Sequence, residues 1–275
     1  MCTGRASFTR TAPAYNARSF SACRDVATMP SIHLADGRRV PYRVRVSPRS
    51  RRVRLTLNPR DGLVMVTPPG VDRRQLAELA HEWRDWVARQ LDALGIDDAA
   101  GAATASVSLP DCIVLAGIGE QWHVLHRHTP GVSARVLVRD ERSLVLGGAA
   151  GDLSERVAAL RRWLMRRARD TLPPRLEALA GETGLEFGSV TIRAQRNRWG
   201  SCSAHGDINL NYQLLFLPPP LLRHVLLHEL CHTVELNHSP RFWATVRRFE
   251  PDLDARRAEM RRSWTHVPDW LAAAP

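Results

Sequence analysis

The chain has 275 residues, 44% of them apolar, enough for one large domain or two modest ones. Its formal net charge is +11, and all 39 basic side chains are arginine, which excludes Schiff-base catalysis by lysine. No run of ~18 uncharged apolar residues suggests a membrane span. The 5 cysteines are odd in number with no C-x-x-C pair, so a reduced, cytoplasmic protein is expected rather than a disulfide-stapled one.

Residues 1–30 are polar, carry Asp25 as their one acid, and lack the apolar core of a secretory signal. They read as a disordered tail, or as an over-extended start with Met29 as the initiator. Residues 31–68 read as a β-meander with one arginine-rich face. Val40, Tyr42, Val44 and Val46 alternate with Arg43 and Arg45, and Val53, Leu55 and Leu57 alternate with Arg52 and Arg54. Asp72 then caps a helix predicted to reach about Leu94, with Leu76, Trp83, Val87 and Leu91 on its apolar side. Residues 97–108 have the composition of a linker.

Strand patterns return over residues 111–147. His123, His126 and His128 cluster there and read as strand surface rather than a metal site. A helix is predicted from Asp152 or Ser154 to about Leu172, and Pro173-Pro174 predicts a break. The expected organisation is a tail over 1–30, a β-rich part with one amphipathic helix over 31–150, and a compact domain over 151–270. No internal repeat is visible in the sequence.

Val190-Thr191-Ile192 predicts a strand, followed by the polar loop Arg196–Ser203 and a second strand through Ile208, Leu210 and Tyr212. Two readings of the loop stand side by side. Arg198 and Ser201 could stabilise charge on a substrate carbonyl, or the loop is structural, with Trp199 buried and its polar groups hydrogen-bonded. Asn209 and Asn211 share one face of a strand, which can be an edge that pairs with an extended peptide.

Pro218-Pro219-Pro220 starts a helix predicted over about 221–235. It carries H-E-x-x-H: His228, Glu229, Leu230, Cys231 and His232. Residues four apart share a helical face, so His228 and His232 can both offer a ring nitrogen to one ion. Neutral imidazole suits zinc, and a catalytic site keeps one position open for water. Glu229, beside the first ligand, can take that water's proton. Asn237 suits the left-handed conformation that ends helices, and a chain that turns there returns His238 as the third ligand. The metzincin pattern also spaces its third His in this way, but it has Gly where this chain has Glu235. His224, one turn before His228, reads as an exposed or capping histidine. Cys231 reads as a buried free thiol.

Taken together, these segments resemble a known family. R-x-R-W-G-S-C (Arg196 to Cys202), G-x-I-x-L-N (Gly206 to Asn211), H-E-L-C-H (His228 to His232), N-H-S-x-x-F-W (Asn237 to Trp243) and Pro251-Asp252 are similar to the YgjP-like metallopeptidases. The arginine-rich strands closed by Pro68-Pro69-Gly70 are similar to that family's N-terminal part. The resemblance implies an α+β fold with a compact zincin-like domain, related to SprT-like and WLM-type proteases. It also implies one Zn²⁺ held by His228, His232 and His238, with Glu229 as catalytic base and a peptide or protein as substrate. Two alternatives remain. One is a protease acting on DNA- or RNA-bound proteins through the arginine-rich surface. The other is a non-catalytic zinc scaffold.

Overall fold

The computed structural model describes residues 8–11, 30–58, 62–94, 108–129, 133–148 and 153–272. Met29, residues 97–107 of the expected linker and most of the expected tail lie outside them. The chain divides into two compact units, one within residues 5–106 and one within 107–275.

The first unit is a five-stranded sheet, β1 (Phe8–Thr11), β2 (Ser31–His33), β3 (Arg39–Val46), β4 (Arg54–Asn58) and β5 (Gly62–Thr67), covered by α1 (Arg73–Glu82) and α2 (Arg84–Leu94). Phe8–Thr11 is thus a strand where a disordered tail is expected. The spatial order is β1-β4-β5-β3-β2, with β3 parallel to β5, so the expected meander does not form. Alternation fixes which face of a strand is buried but not which strand lies beside it. The buried face is the predicted one: Val40, Tyr42, Leu55, Leu57, Leu63 and Met65 pack with Leu76, Val87 and Leu91. Asp72 Oδ1 accepts from the Arg74 N–H at 3.3 Å and caps α1. The predicted single helix breaks at buried Trp83.

The second unit opens with β6 (Cys112–Leu115), β7 (Glu120–His128), β8 (Arg135–Asp140) and β9 (Ser143–Gly148), in the order β6-β7-β9-β8. The expected organisation groups this sheet with the N-terminal strands. Instead Trp122, Val124, Leu144 and Leu146 share a core with the 31-residue helix α3 (Leu153–Thr183), so the division falls near residue 106 rather than 150. Trp122 meets Trp163 of α3 edge-on at 5.2 Å. The helix runs through Pro173-Pro174 without the predicted break. The carbonyls that lose a donor there belong to exposed Arg169 and Asp170, where water can reach them. Leu172 and Leu176 on either side are fully buried and carry the helix across.

The two sheets repeat one another. Strands β2–β5 and β6–β9 share the order first, second, fourth, third, with the second and fourth parallel and a helical segment after the fourth, while β1 adds an edge to the first sheet alone. Six pairs of buried residues recur 81 positions apart: Ile32 and Ile113, Leu34 and Leu115, Leu63 and Leu144, Met65 and Leu146, then Leu76 and Val157, and Leu91 and Leu172. Little beyond the interior is shared, which is why the sequence shows no repeat.

Beyond α3 lie β10 (Val190–Arg193), β11 (Gly200–Cys202) and β12 (Ile208–Asn211), in the order β10-β12-β11. They are followed by α4 (Pro219–Cys231), α5 (Pro240–Phe249), α6 (Leu253–Met260) and α7 (Asp269–Ala272). The fold is α+β with three small mixed sheets. No described helix is long and apolar enough to cross a membrane.

Candidate metal centre

Helix α4 presents the first two histidines. Pro219 and Pro220 occupy its first positions, where a missing N–H costs no helical bond. Leu221, Leu222, Val225, Leu226, Leu227 and Leu230 are buried and hold its apolar sides in the core. The helix ends at Cys231, earlier than predicted, with His232 as its C-cap. Thr233 N–H and Thr233 Oγ1–H both donate to the Leu230 carbonyl, which tightens the last turn. No non-glycine residue among those described has positive φ, so Asn237 is not the left-handed cap expected. Its Oδ1 accepts from the Ser239 N–H at 2.9 Å and leads the chain into α5, where Ser239 Oγ caps Phe242 N–H.

The return places His238 beside the pair. His228 Nε2 lies 3.2 Å from His232 Nε2 and 3.1 Å from His238 Nε2. Tetrahedral metal–imidazole bonds of ~2.0–2.1 Å put their nitrogens about 3.3 Å apart, so the spacing fits one ion. Among the described residues this is the one cluster of three possible ligands. The Glu235 carbonyl accepts from His232 Nδ1 at 2.9 Å, so that nitrogen carries the proton and Nε2 presents its lone pair. Burial pushes all three histidines below the usual imidazole range, His238 to about 4, and His232 adds to the effect on His228 and His238. At neutral pH they are therefore in the ligating form.

Two side chains of α5 complete the mount. Fully buried Phe242 stacks on His232 at 4.3 Å and meets His228 and His238 edge-on at 4.9 Å. Trp243 stacks on His238 at 5.4 Å, with the Arg257 guanidinium over its own ring at 4.1 Å. Sequence patterning places both in a helix core and misses that they pack on the three histidines that could hold a metal. The Phe-Trp pair just after His238 is the available signal.

Glu229 is 2% exposed and lies against β11. A Cβ built on Gly200 would sit 2.6 Å from Glu229 Oε1. The chain thus forgoes a side chain at 200 to make room for the carboxylate. Cys202, two residues on and on the same strand face, has its thiol pushed up to about 11 by burial and by the Glu229 charge.

The four other candidates lie on and around β11 and β12. Ser201 and Asn209 are opposite each other on β11 and β12, on the sheet face turned away from Gly200 and Glu229. Asn211 is fully buried. Its amide donates to the Gln195 and Arg198 carbonyls, and its Oδ1 accepts from Gln213 N–H. β12 is the middle strand, so the edge is β11 rather than the strand of the two asparagines. Arg198 is exposed. The loop it belongs to is pinned from inside, where Trp199 stacks on Trp264 at 3.9 Å and donates to Ser263 Oγ at 2.9 Å.

His224 is buried, not exposed as expected. Its Nδ1 lies 2.5 Å from Glu250 Oε2, and Arg256 Nε stands 3.7 Å from the other Glu250 oxygen. Cys231 is the buried free thiol expected, pushed up to about 12 by burial and by Glu250. His126 is engaged by Asp111 and Arg156 at the surface of the second sheet.

The family model of the YgjP-like, metallopeptidase domain matches residues 51–263. No curated protein and no solved structure matches the chain.

Proposed function

Since the chain belongs to the YgjP-like metallopeptidase family, whose model covers most of it, the general activity is metal-dependent peptide hydrolysis, and we propose that it is a zinc peptidase with Glu229 as its general base. His228, His232 and His238 would hold the ion. Three imidazoles with no carboxylate or thiolate among them suit zinc over magnesium or calcium. Bound zinc supplies a Lewis acid for the scissile carbonyl and acidifies its water. Glu229 takes the proton from the attacking water and delivers it to the departing amine nitrogen. Burial against Gly200 fixes the carboxylate in one position for both transfers.

The open edge of β11 gives the substrate a place. Trp199, Ser201 and Ser203 turn their backbone groups toward β12, as the Asn211 N–H to Trp199 carbonyl bond at 2.8 Å shows. By antiparallel alternation Gly200 and Cys202 turn theirs outward, where an extended peptide can pair as an added strand.

The observation that carries this reading is the Glu229 carboxylate held against Gly200 one position from a ligand of the three-histidine cluster. A structural zinc site is closed by four protein ligands and needs no such base. The test is Glu229→Gln, assayed on an unfolded protein substrate such as casein. Retained zinc with kcat reduced by ~10²–10⁴ is expected. His238→Ala should instead lose the metal. Full activity in Glu229→Gln sinks the mechanism. A parent protein that binds zinc but cleaves nothing favours the scaffold.

A further inference from the structure

The two layers of the first unit differ in charge. Residues 30–58, from β2 to β4, hold eight arginines and a single carboxylate, Asp36, which Arg38 engages. The helix layer, residues 73–94, holds four arginines and four carboxylates. Strands β2–β4 and the two helices hold four arginines each, so what sets the sheet layer apart is its near lack of carboxylates and the four further arginines of its turns.

We propose that the outward face of this sheet binds nucleic acid through its phosphodiester backbone, without reading sequence. Val40, Tyr42, Leu55 and Leu57 point inward, so alternation sends Arg39, Arg43, Arg45 and Arg54 outward, and all four are exposed. Arg43 and Arg45, two residues apart on β3, stand ~6.8 Å apart along the strand. Arg45 and Arg54 both face Val66 from opposite sides of β5, two strand spacings or ~9.6 Å apart. The result is a two-dimensional lattice of guanidinium groups, in which Arg39 also donates from Nε to Ser31 Oγ at 2.9 Å; a guanidinium can grip a phosphate with two N–H donors.

What the face lacks narrows the partner. The outward positions of β2 to β5 carry no Phe, Tyr or Trp, so they offer no platform for stacking unpaired bases. They also carry no Leu, Phe or Trp to insert beside the arginines into a lipid surface. Between the arginines stand only Pro41, Thr56, Val64 and buried Val66, so positive charge is the dominant feature of the face, and it suits a regular polyanion. This inference is independent of the peptidase reading, and its readout is binding rather than turnover.

The test uses the full chain and a fluorescein-labelled 20-base-pair DNA of arbitrary sequence, followed by anisotropy from 50 to 200 mM salt. The triple variant Arg43→Ser, Arg45→Ser, Arg54→Ser is compared with a charge-matched control on the helix layer, Arg73→Ser, Arg74→Ser, Arg84→Ser. Melting curves establish that both fold. The parent should bind with a steep salt dependence. The sheet variant should lose at least 10-fold in affinity and reduce the log–log salt slope by about 2.7, or ~0.9 for each phosphate no longer neutralised. The control should change less than 3-fold. The proposal is overturned by no binding at 50 mM salt, by equal losses in the two variants, or by polyglutamate or anionic vesicles binding this face as tightly as the DNA.

Discussion

A methyl group on residue 200 would lie 2.6 Å from one Glu229 carboxylate oxygen and 2.7 Å from its Cγ. Those are overlaps, so Gly200→Ala must push either the base or the edge strand aside. Neither movement need disturb the three imidazoles. We expect the variant to keep its metal while kcat falls by ~10²-fold, since a displacement of ~1 Å at a catalytic group costs about that much. Metal content and kcat measured together decide it; activity within twofold of the parent would show that the Gly200–Glu229 packing is dispensable. At this scale the sequence is uneven. His228 and His232 are legible because helical geometry alone aligns residues four apart, and His238 because a short turn can bring it back. Gly200 is not, because what makes it matter is Glu229, a neighbour far along the chain, and Phe242 reads as helix core although its partners His232 and His238 are close in sequence. Asn211 misleads for the same reason: a polar residue on a strand suggests a ligand contact, and only the fold shows it holding the Gln195 and Arg198 carbonyls.

Periodicity finds nearly every element, and the errors concern order and ends. The α3 helix shows why a proline pair is a weak stop signal when buried leucines flank it. The same helix is tied to β7 by Glu120, which accepts from Arg167 and from Trp122 Nε1, with Arg142 at 3.6 Å. Burial raises the Glu120 carboxyl, but the Arg167 and Trp122 hydrogen bonds outweigh it and leave it below the usual carboxylate range. A carboxyl depressed in the folded state stabilises the fold above its unfolded value of about 4.3, and that contribution fades as pH drops through the folded value. Glu120→Gln should therefore be less stable than the parent at pH 7, by roughly 1.5–3 kcal/mol for lost charged hydrogen bonds. The gap should close below about pH 4. Denaturant melts across pH 3–7 test this; a constant gap would mean that packing, not charge, sets the cost.

For the whole molecule, the described core separates into two clusters, one within residues 32–91 and one within 113–271. Composition allows two domains but does not place the boundary, because the strands of 112–148 have the same pattern as those of 31–67. Only the packing of Trp122, Leu144 and Leu146 on α3 assigns them. Two cores predict two calorimetric transitions, with zinc raising only the one that contains the histidines, by mass action on its folded state. Leu55→Ala, which opens a cavity in the other core, should lower the zinc-insensitive transition. One transition that moves under both changes would show a single cooperative unit.

The recurrence of interior residues every 81 positions has a kinetic side. A strand of either copy meets two sheets whose interior positions match on the first and fourth strands. Ile32 fits where Ile113 belongs, and Leu63 where Leu144 belongs. Hydrophobic collapse tells the copies apart only in part, through Val40 and Tyr42 against Trp122 and Val124 on the second strands, so the outer faces add to the choice. There the copies diverge: Arg43 stands where the second copy has Leu125, and Thr56 where it has Leu137. Surface residues that contribute little to the final stability thus act as proofreaders, sorting one copy's strands from the other's before either core closes.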